Sequence, residues 1–241
     1  MTTAGDASPG GRDDEVGTLA LVGGAEWQPG ADFDAELLAR SDGDVVVLPT
    51  AAAYEHPERA IATATVWFAS LGARVAPCML LQRSDSSDPR IVESIASARF
   101  VYLGGGSPLH LRSVLKDSDA LGALVRAWRS GAVVAASSAG AMVLTDPMLD
   151  PRGGAFTVGF GLVRGLAVVP HFGGEVTPQL RRTLMLAPMG CAIVALPERS
   201  ALVREPDGTW RTAGEGAAGA AVFLGAQRAD LTALAGKSLG P

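Results

Sequence analysis

Four short apolar runs punctuate the first half of the chain: Leu19–Val22, Val45–Leu48, Phe100–Leu103 and Ala132–Ala136. Each is bounded by turn-forming residues and lacks polar alternation, the pattern of strands buried on both faces of a parallel sheet. Arg74–Ala76 is a weaker fifth. Helical patterns fall between them. Pro57 opens a helix with Ile61, Thr65 and Phe68 on one face and a stop near Gly72. Ser118 caps another, with Leu121, Leu124, Val125 and Trp128 on its buried face and Gly131 just past its end. Further on, the pattern predicts strands at Leu166–Val169, Ala192–Leu196 and Ala220–Leu224, and a helix near Thr177–Leu186. Ala201–Glu205 and Thr209–Thr212 form a predicted hairpin around Pro206-Asp207-Gly208. Strands alternating with helices imply right-handed βαβ units: an α/β fold with a mostly parallel sheet and helices on both faces. Residues 1–17 lack periodicity and predict a disordered tail; residues 18–241 predict one α/β domain.

Composition narrows the function classes. At 241 residues, 48% hydrophobic and 19% charged, the chain can bury a sizeable core. Its formal charge of −5, without a basic stripe, argues against nucleic-acid and anionic-membrane partners. Cys78 and Cys191, the only cysteines, lie far apart in apolar stretches and suit buried thiols in a reducing compartment. His56, His110 and His171 are isolated, so no metal site and no cofactor are expected. With no apolar signal core and no spanning run, the expectation is a cytoplasmic protein, monomer or homodimer.

The chemistry centres on Ser138, in the run Ala132-Val133-Val134-Ala135-Ala136-Ser137-Ser138-Ala139-Gly140-Ala141-Met142-Val143. A buried strand breaks into small residues and continues as a helix, the geometry that presents a serine hydroxyl in a sharp bend. Ala136 stands where the Gly-x-Ser-x-Gly pattern has its first glycine, and Gly140 supplies the second. Ser137 is the poorer nucleophile, because Ala139 would occupy its +2 position. The competing reading is a strand–turn–helix joint whose serine only caps the helix.

In open α/β sheets ligands bind outside the carboxyl ends of the strands. The residues just beyond the predicted strands are therefore informative. They are Gly23-Gly24-Ala25-Glu26, Pro49-Thr50, Gly104-Gly105-Gly106-Ser107, Ser138, His171 and Glu198. A nucleophile, an imidazole, a carboxylate and a glycine loop are thus expected at one edge of the sheet. Serine needs a base to take its proton, and histidine titrates in the right range. A carboxylate fixes the imidazole tautomer. Ala139 and either Gly105 or Gly106 are expected to donate backbone N–H groups to an oxyanion. Asp146 and Asp150 compete with Glu198 for the third place. His110 is expected to be structural and His56 exposed. Gly104–Gly106 lacks the spacing of a phosphate loop.

These segments resemble the serine peptidase family of aspartyl dipeptidase (peptidase E) and cyanophycinase. The likeness is carried by Val22-Gly23-Gly24-Ala25-Glu26, Val46-Val47-Leu48-Pro49-Thr50, Tyr102-Leu103-Gly104-Gly105-Gly106-Ser107, Ser138-Ala139-Gly140-Ala141, Gly159-Phe160-Gly161-Leu162 with Val169-Pro170-His171-Phe172, and Leu196-Pro197-Glu198. It implies a class I glutamine amidotransferase-like (flavodoxin-like) sandwich and a Ser138–His171–Glu198 triad acting on small peptides through an acyl-enzyme. An esterase with the same triad and a non-catalytic binding domain are the alternatives. Ser107, Glu26 and Arg182 are the candidate substrate contacts. The chain departs from the family in one respect: the stretch Phe172–Leu180 holds no arginine, and Arg181 and Arg182 come only on the predicted helix.

Overall fold

The computed structural model describes residues 16–153 and 155–240. The predicted disordered tail therefore lies outside the described residues, except for its last two. Val16 is buried, and Gly17 is fixed at both ends: its N–H donates to Trp128 O and its carbonyl accepts from Trp128 Nε1, each at 2.7 Å.

The chain builds five parallel strands in βαβ order: β1 (Leu19–Val22), β2 (Val45–Leu48), β3 (Val75–Pro77), β4 (Phe100–Leu103) and β5 (Val133–Ser137). Helices α1 (Phe33–Leu38), α2 (Pro57–Ser70), α3 (Pro89–Ala96), α4 (Pro108–Leu115) and α5 (Asp119–Arg129) lie between them, and α6 (Ala139–Leu144) follows β5 directly. Two small strand pairs come next, β6 (Thr145–Asp146) with β9 (Val163–Arg164) and β7 (Met148–Leu149) with β8 (Phe156–Thr157). The remaining elements are β10 (Leu166–Val169), α7 (Pro178–Leu186), β11 (Ala192–Ala195), the hairpin β12 (Ala201–Arg204) and β13 (Trp210–Ala213), β14 (Ala221–Leu224) and β15 (Gln227–Ala229). No described helix is long and apolar enough to cross a membrane.

The seven-stranded sheet runs β13-β12-β1-β5-β4-β2-β3, with β12 antiparallel to β1. Strand pleating sorts its side chains between two cores. Leu19, Leu21, Val101, Leu103 and Val134 pack with α3, α4, α5 and α6; Ala20, Val22, Phe100, Tyr102 and Val133 pack with α1 and α2. Covering both faces is what permits continuous apolar strands. The mostly parallel α/β sheet is the flavodoxin-like arrangement the sequence implies.

Two expectations need correction. The strands Leu166–Val169 and Ala192–Leu196 do not extend the main sheet. They form a second one, ordered β10-β11-β14-β15. Leu166, Val168 and Val194 turn toward the core shared with α6, while Ala167, Ile193 and Phe223 form a third core with Leu180 and Leu184 of α7. The candidate site thus draws on two sheets, not one edge of one sheet. On α2, Ala64 and Phe68 are fully buried and Ile61 is half-buried, whereas Thr65 faces solvent with its hydroxyl bonded to Ile61 O at 2.8 Å. One residue along a helix is a rotation of about 100°, which is enough to move Thr65 off the packed face.

Candidate active site

Ser138 joins β5 to α6 with φ 48° and ψ −105°, a backbone conformation that side chains rarely adopt. Its N–H donates to Val22 O at 2.9 Å, which ties the bend to the end of β1. A Cβ on Gly140 would stand 2.9 Å from Leu103 O and 3.1 Å from Ala136 Cβ. That crowding explains both the glycine two residues after Ser138 and the small alanine two residues before it.

The second sheet supplies the partners. His171 follows β10 through Pro170 and has φ 55°; its N–H donates to Gly23 O at 2.8 Å. Glu198 follows β11 through Pro197, and the next residue, Arg199, donates its N–H to Gly24 O at 2.9 Å. The loop after β1 is therefore the seat on which both segments rest. Ser138 Oγ and His171 Nε2 are 2.8 Å apart, and His171 Nδ1 is 3.1 Å from Glu198 Oε1. An ionised carboxylate only accepts, so Nδ1 carries the proton and Nε2 is left to accept from the serine hydroxyl. The side chains of His171 and Glu198 are about half exposed (50% and 55%), so solvent screens their attraction.

The competing carboxylates lie elsewhere. Asp150 forms ion pairs with Arg152 at 2.6 Å, and those hydrogen bonds hold its pKa down to about 2. Asp146 accepts from Gly159 N–H at 3.1 Å. Neither reaches His171. His110 binds Leu81 O at 2.9 Å through Nε2, and His56 is exposed beside Glu58.

Around the hydroxyl, the Ala139 and Gly106 N–H groups have no acceptor among the described residues, and both residues line the same cavity as Ser138. Gly105 differs from expectation. Its N–H donates to Glu26 Oε1 at 3.0 Å, while Glu26 Oε2 accepts from Ser137 Oγ at 2.7 Å. Glu26, expected among the substrate contacts, clamps the glycine loop to Ser137, the residue beside Ser138. Beneath it lies buried Asp34, whose Oδ2 accepts from Trp67 Nε1 at 2.8 Å. Burial pushes the Asp34 pKa up to about 8; the Trp67 bond opposes the shift and the Glu26 charge adds to it.

The other two proposed substrate contacts also sit differently. Ser107 is the N-cap of α4, its Oγ accepting from His110 N–H at 3.3 Å. Arg182 lies outside the Ser138 cavity, in a separate hollow with Val176, Met185 and Leu186. The inward face of α7 belongs to Leu180, Thr183 and Leu184, and a residue two positions from Leu180 points away from it. Sequence reasoning missed Thr183 and Gln179 as cavity walls. The signal for Thr183 was the three-residue spacing Thr177, Leu180, Thr183, which puts one face of α7 toward the cavity; Gln179 joins that face one turn before Thr183.

Residues 19–210 match the sequence model of peptidase family S51. A peptidase from an acI-B1 Actinobacterium has a similar crystal structure, with a TM-score of 0.78 and 26% identity over 90% of this chain and 95% of that one. A Listeria monocytogenes EGD-e protein described as a peptidase E shares the fold at a TM-score of 0.59, with 16% identity over 78% of this chain and 94% of that one. No curated protein matches the chain. The fold and the family match define a peptidase-type hydrolase. The chain belongs to peptidase family S51.

Proposed function

We propose that the chain hydrolyses an amide bond of a small peptide through an ester intermediate on Ser138. The observation that carries this reading is the unbroken chain of short contacts from Ser138 Oγ through the His171 ring to Glu198 Oε1. Ser138 Oγ attacks the scissile carbonyl carbon while Nε2 takes the hydroxyl proton. The carbonyl oxygen gains the negative charge, faced by the N–H groups of Ala139 and Gly106. The tetrahedral centre collapses as the imidazolium returns that proton to the departing amine, leaving the acyl group on Oγ. Water then repeats the cycle: Nε2 takes its proton, hydroxide adds to the ester carbon, and the proton returns to Ser138 Oγ as the acid product leaves. Glu198 holds the ring tautomer and balances the imidazolium charge throughout.

A fluorophosphonate probe followed by mass mapping tests this reading. The expected result is one adduct on Ser138, absent in Ser138→Ala, with His171→Ala lowering turnover by about 10⁴-fold while the fold is retained. An intact protein that takes no label and turns over no peptide would overturn it and leave a binding domain of the same fold.

A further inference from the structure

The cavity that opens beside Ser138 has a volume of about 360 Å³. Its walls come from three directions. Met142, one helical turn after Ser138, and Leu149 and Pro151 form one side; Val169 of β10 forms another; Leu180 and Thr183 of α7 close it. Met142, Leu180 and Thr183 are buried, so they form the interior rather than the rim. Apart from His171, no lining residue carries a titratable side chain. Of the two threonine hydroxyls, Thr183 Oγ1 donates to Gln179 O at 3.1 Å, and that of the exposed Thr177 accepts from Leu180 N–H at 3.2 Å. The Gln179 amide remains, on an exposed residue beside Gly153 at the mouth. The α7 arginines, Arg181 and Arg182, line the separate outer hollow.

We infer that this cavity receives the side chain on the acyl side of the scissile bond, and that it selects neutral, largely apolar side chains. The inference rests on the acyl-enzyme reading given above. A carboxylate entering the cavity would be stripped of water and meet no cation; an ammonium would meet no carboxylate. An apolar side chain replaces water against Met142, Leu149 and Leu180 with no such penalty. The acyl-side assignment follows from which elements form the walls. Gly106 and the first turn of α6 face the reacting oxygen and also line the cavity. A group seated there hangs from the carbon that Ser138 attacks, while the amine departs toward His171 Nε2.

The test uses the full chain and a series of fluorogenic peptide amides with leucine, methionine, glutamine, aspartate or lysine before the scissile bond, run beside fluorophosphonate labelling. Leucyl and methionyl substrates are expected to exceed aspartyl and lysyl ones by about 100-fold in kcat/KM. An aspartyl preference with Ser138 still labelled overturns the pocket assignment alone. Absence of both labelling and turnover overturns the acyl-enzyme reading, and the pocket assignment with it. Gln179→Arg puts a guanidinium at the exposed mouth and is expected to raise aspartyl relative to leucyl turnover by about tenfold. An unchanged ratio overturns the assignment, as does a selectivity that follows the residue after the scissile bond.

Discussion

Gly24 packs against the imidazole of His171: a Cβ at position 24 would stand 2.3 Å from Cε1, 2.6 Å from Nδ1 and 3.2 Å from Nε2. Its φ of +124° also belongs to a region that side chains avoid. Gly24→Ala must therefore push the ring off its line between Ser138 and Glu198. A displacement of this kind is expected to lower kcat by about 10²-fold. Steady-state kinetics beside circular dichroism checks this; near-normal turnover in the folded variant would remove His171 from the reacting centre.

In the proposed mechanism Glu26 acts at one remove from the substrate. Its carboxylate fixes the Gly105 N–H and thereby the position of neighbouring Gly106, which lines the cavity. Glu26→Ala releases the glycine loop, weakening a contact made to the developing oxyanion rather than to the bound ground state. The expected signature is a fall in kcat of about 10- to 100-fold with KM little changed, partly restored in Glu26→Gln, which keeps one acceptor oxygen. Equal changes in KM alone would mean that Glu26 contributes only to binding.

Glu198→Gln preserves the shape of the side chain and changes its hydrogen-bonding character. The amide nitrogen can donate to Nδ1, which stabilises the tautomer with the proton on Nε2 and leaves no acceptor for the Ser138 hydroxyl. Turnover is expected to fall by about 10²- to 10⁴-fold, with Glu198→Asp retaining more activity than the amide variant. Substituting Asp146 or Asp150 in the same assay is expected to leave the rate within a factor of about two, since neither carboxylate meets the imidazole. A larger loss in either aspartate variant than in Glu198→Gln would reverse the assignment.

Asp34 ties stability to pH. Its folded pKa of about 8 lies above the ordinary value of 3.8, so the folded state keeps a proton that the unfolded chain has lost. The contribution to stability is complete below pH 3.8 and declines between there and about 8, then levels off. The slope is about 1.4 kcal/mol per pH unit within that window. Asp34→Asn retains an acceptor for Trp67 and cannot ionise. Urea unfolding at a series of pH values is expected to show a shallower decline for the variant, with its advantage growing from pH 5 to pH 8. Parallel curves would mean that Asp34 is ionised in the fold.

Much of this was legible in the chain itself. The strands Leu19–Val22, Val45–Leu48 and Phe100–Leu103 could be bounded to the residue because burial on both faces leaves an uninterrupted apolar run between turn residues. The placing of Ser138, His171 and Glu198 beyond strand ends was legible: Ser138 directly follows β5, while Pro170 separates His171 from β10 and Leu196-Pro197 separate Glu198 from β11. The division into two sheets was not. It depends on pairings such as Ala192 with Leu224, and on which strand lies next to which, and local hydrophobicity does not encode a neighbour far along the chain. Side-chain direction was the other limit. Thr65 and Arg182 each sit on a correctly predicted helix, yet their facing depends on where the helix meets its sheet. Glu26 was visible as a polar residue at a strand end, but its clamp on Gly105 and Ser137 spans residues too distant in sequence for any local pattern to join.

The meeting of two layers at the loop after β1 has one more consequence. Ser138 rides on one layer and His171 on the other, and peptide-group bonds around Gly23 and Gly24 tie the two segments together beside the core that both sheets share. Mild denaturant or pressure that slackens these bonds would silence turnover while each layer still gave a native far-ultraviolet spectrum. Loss of activity is therefore expected to precede loss of fold, which kinetics and far-ultraviolet circular dichroism along one denaturant series would check.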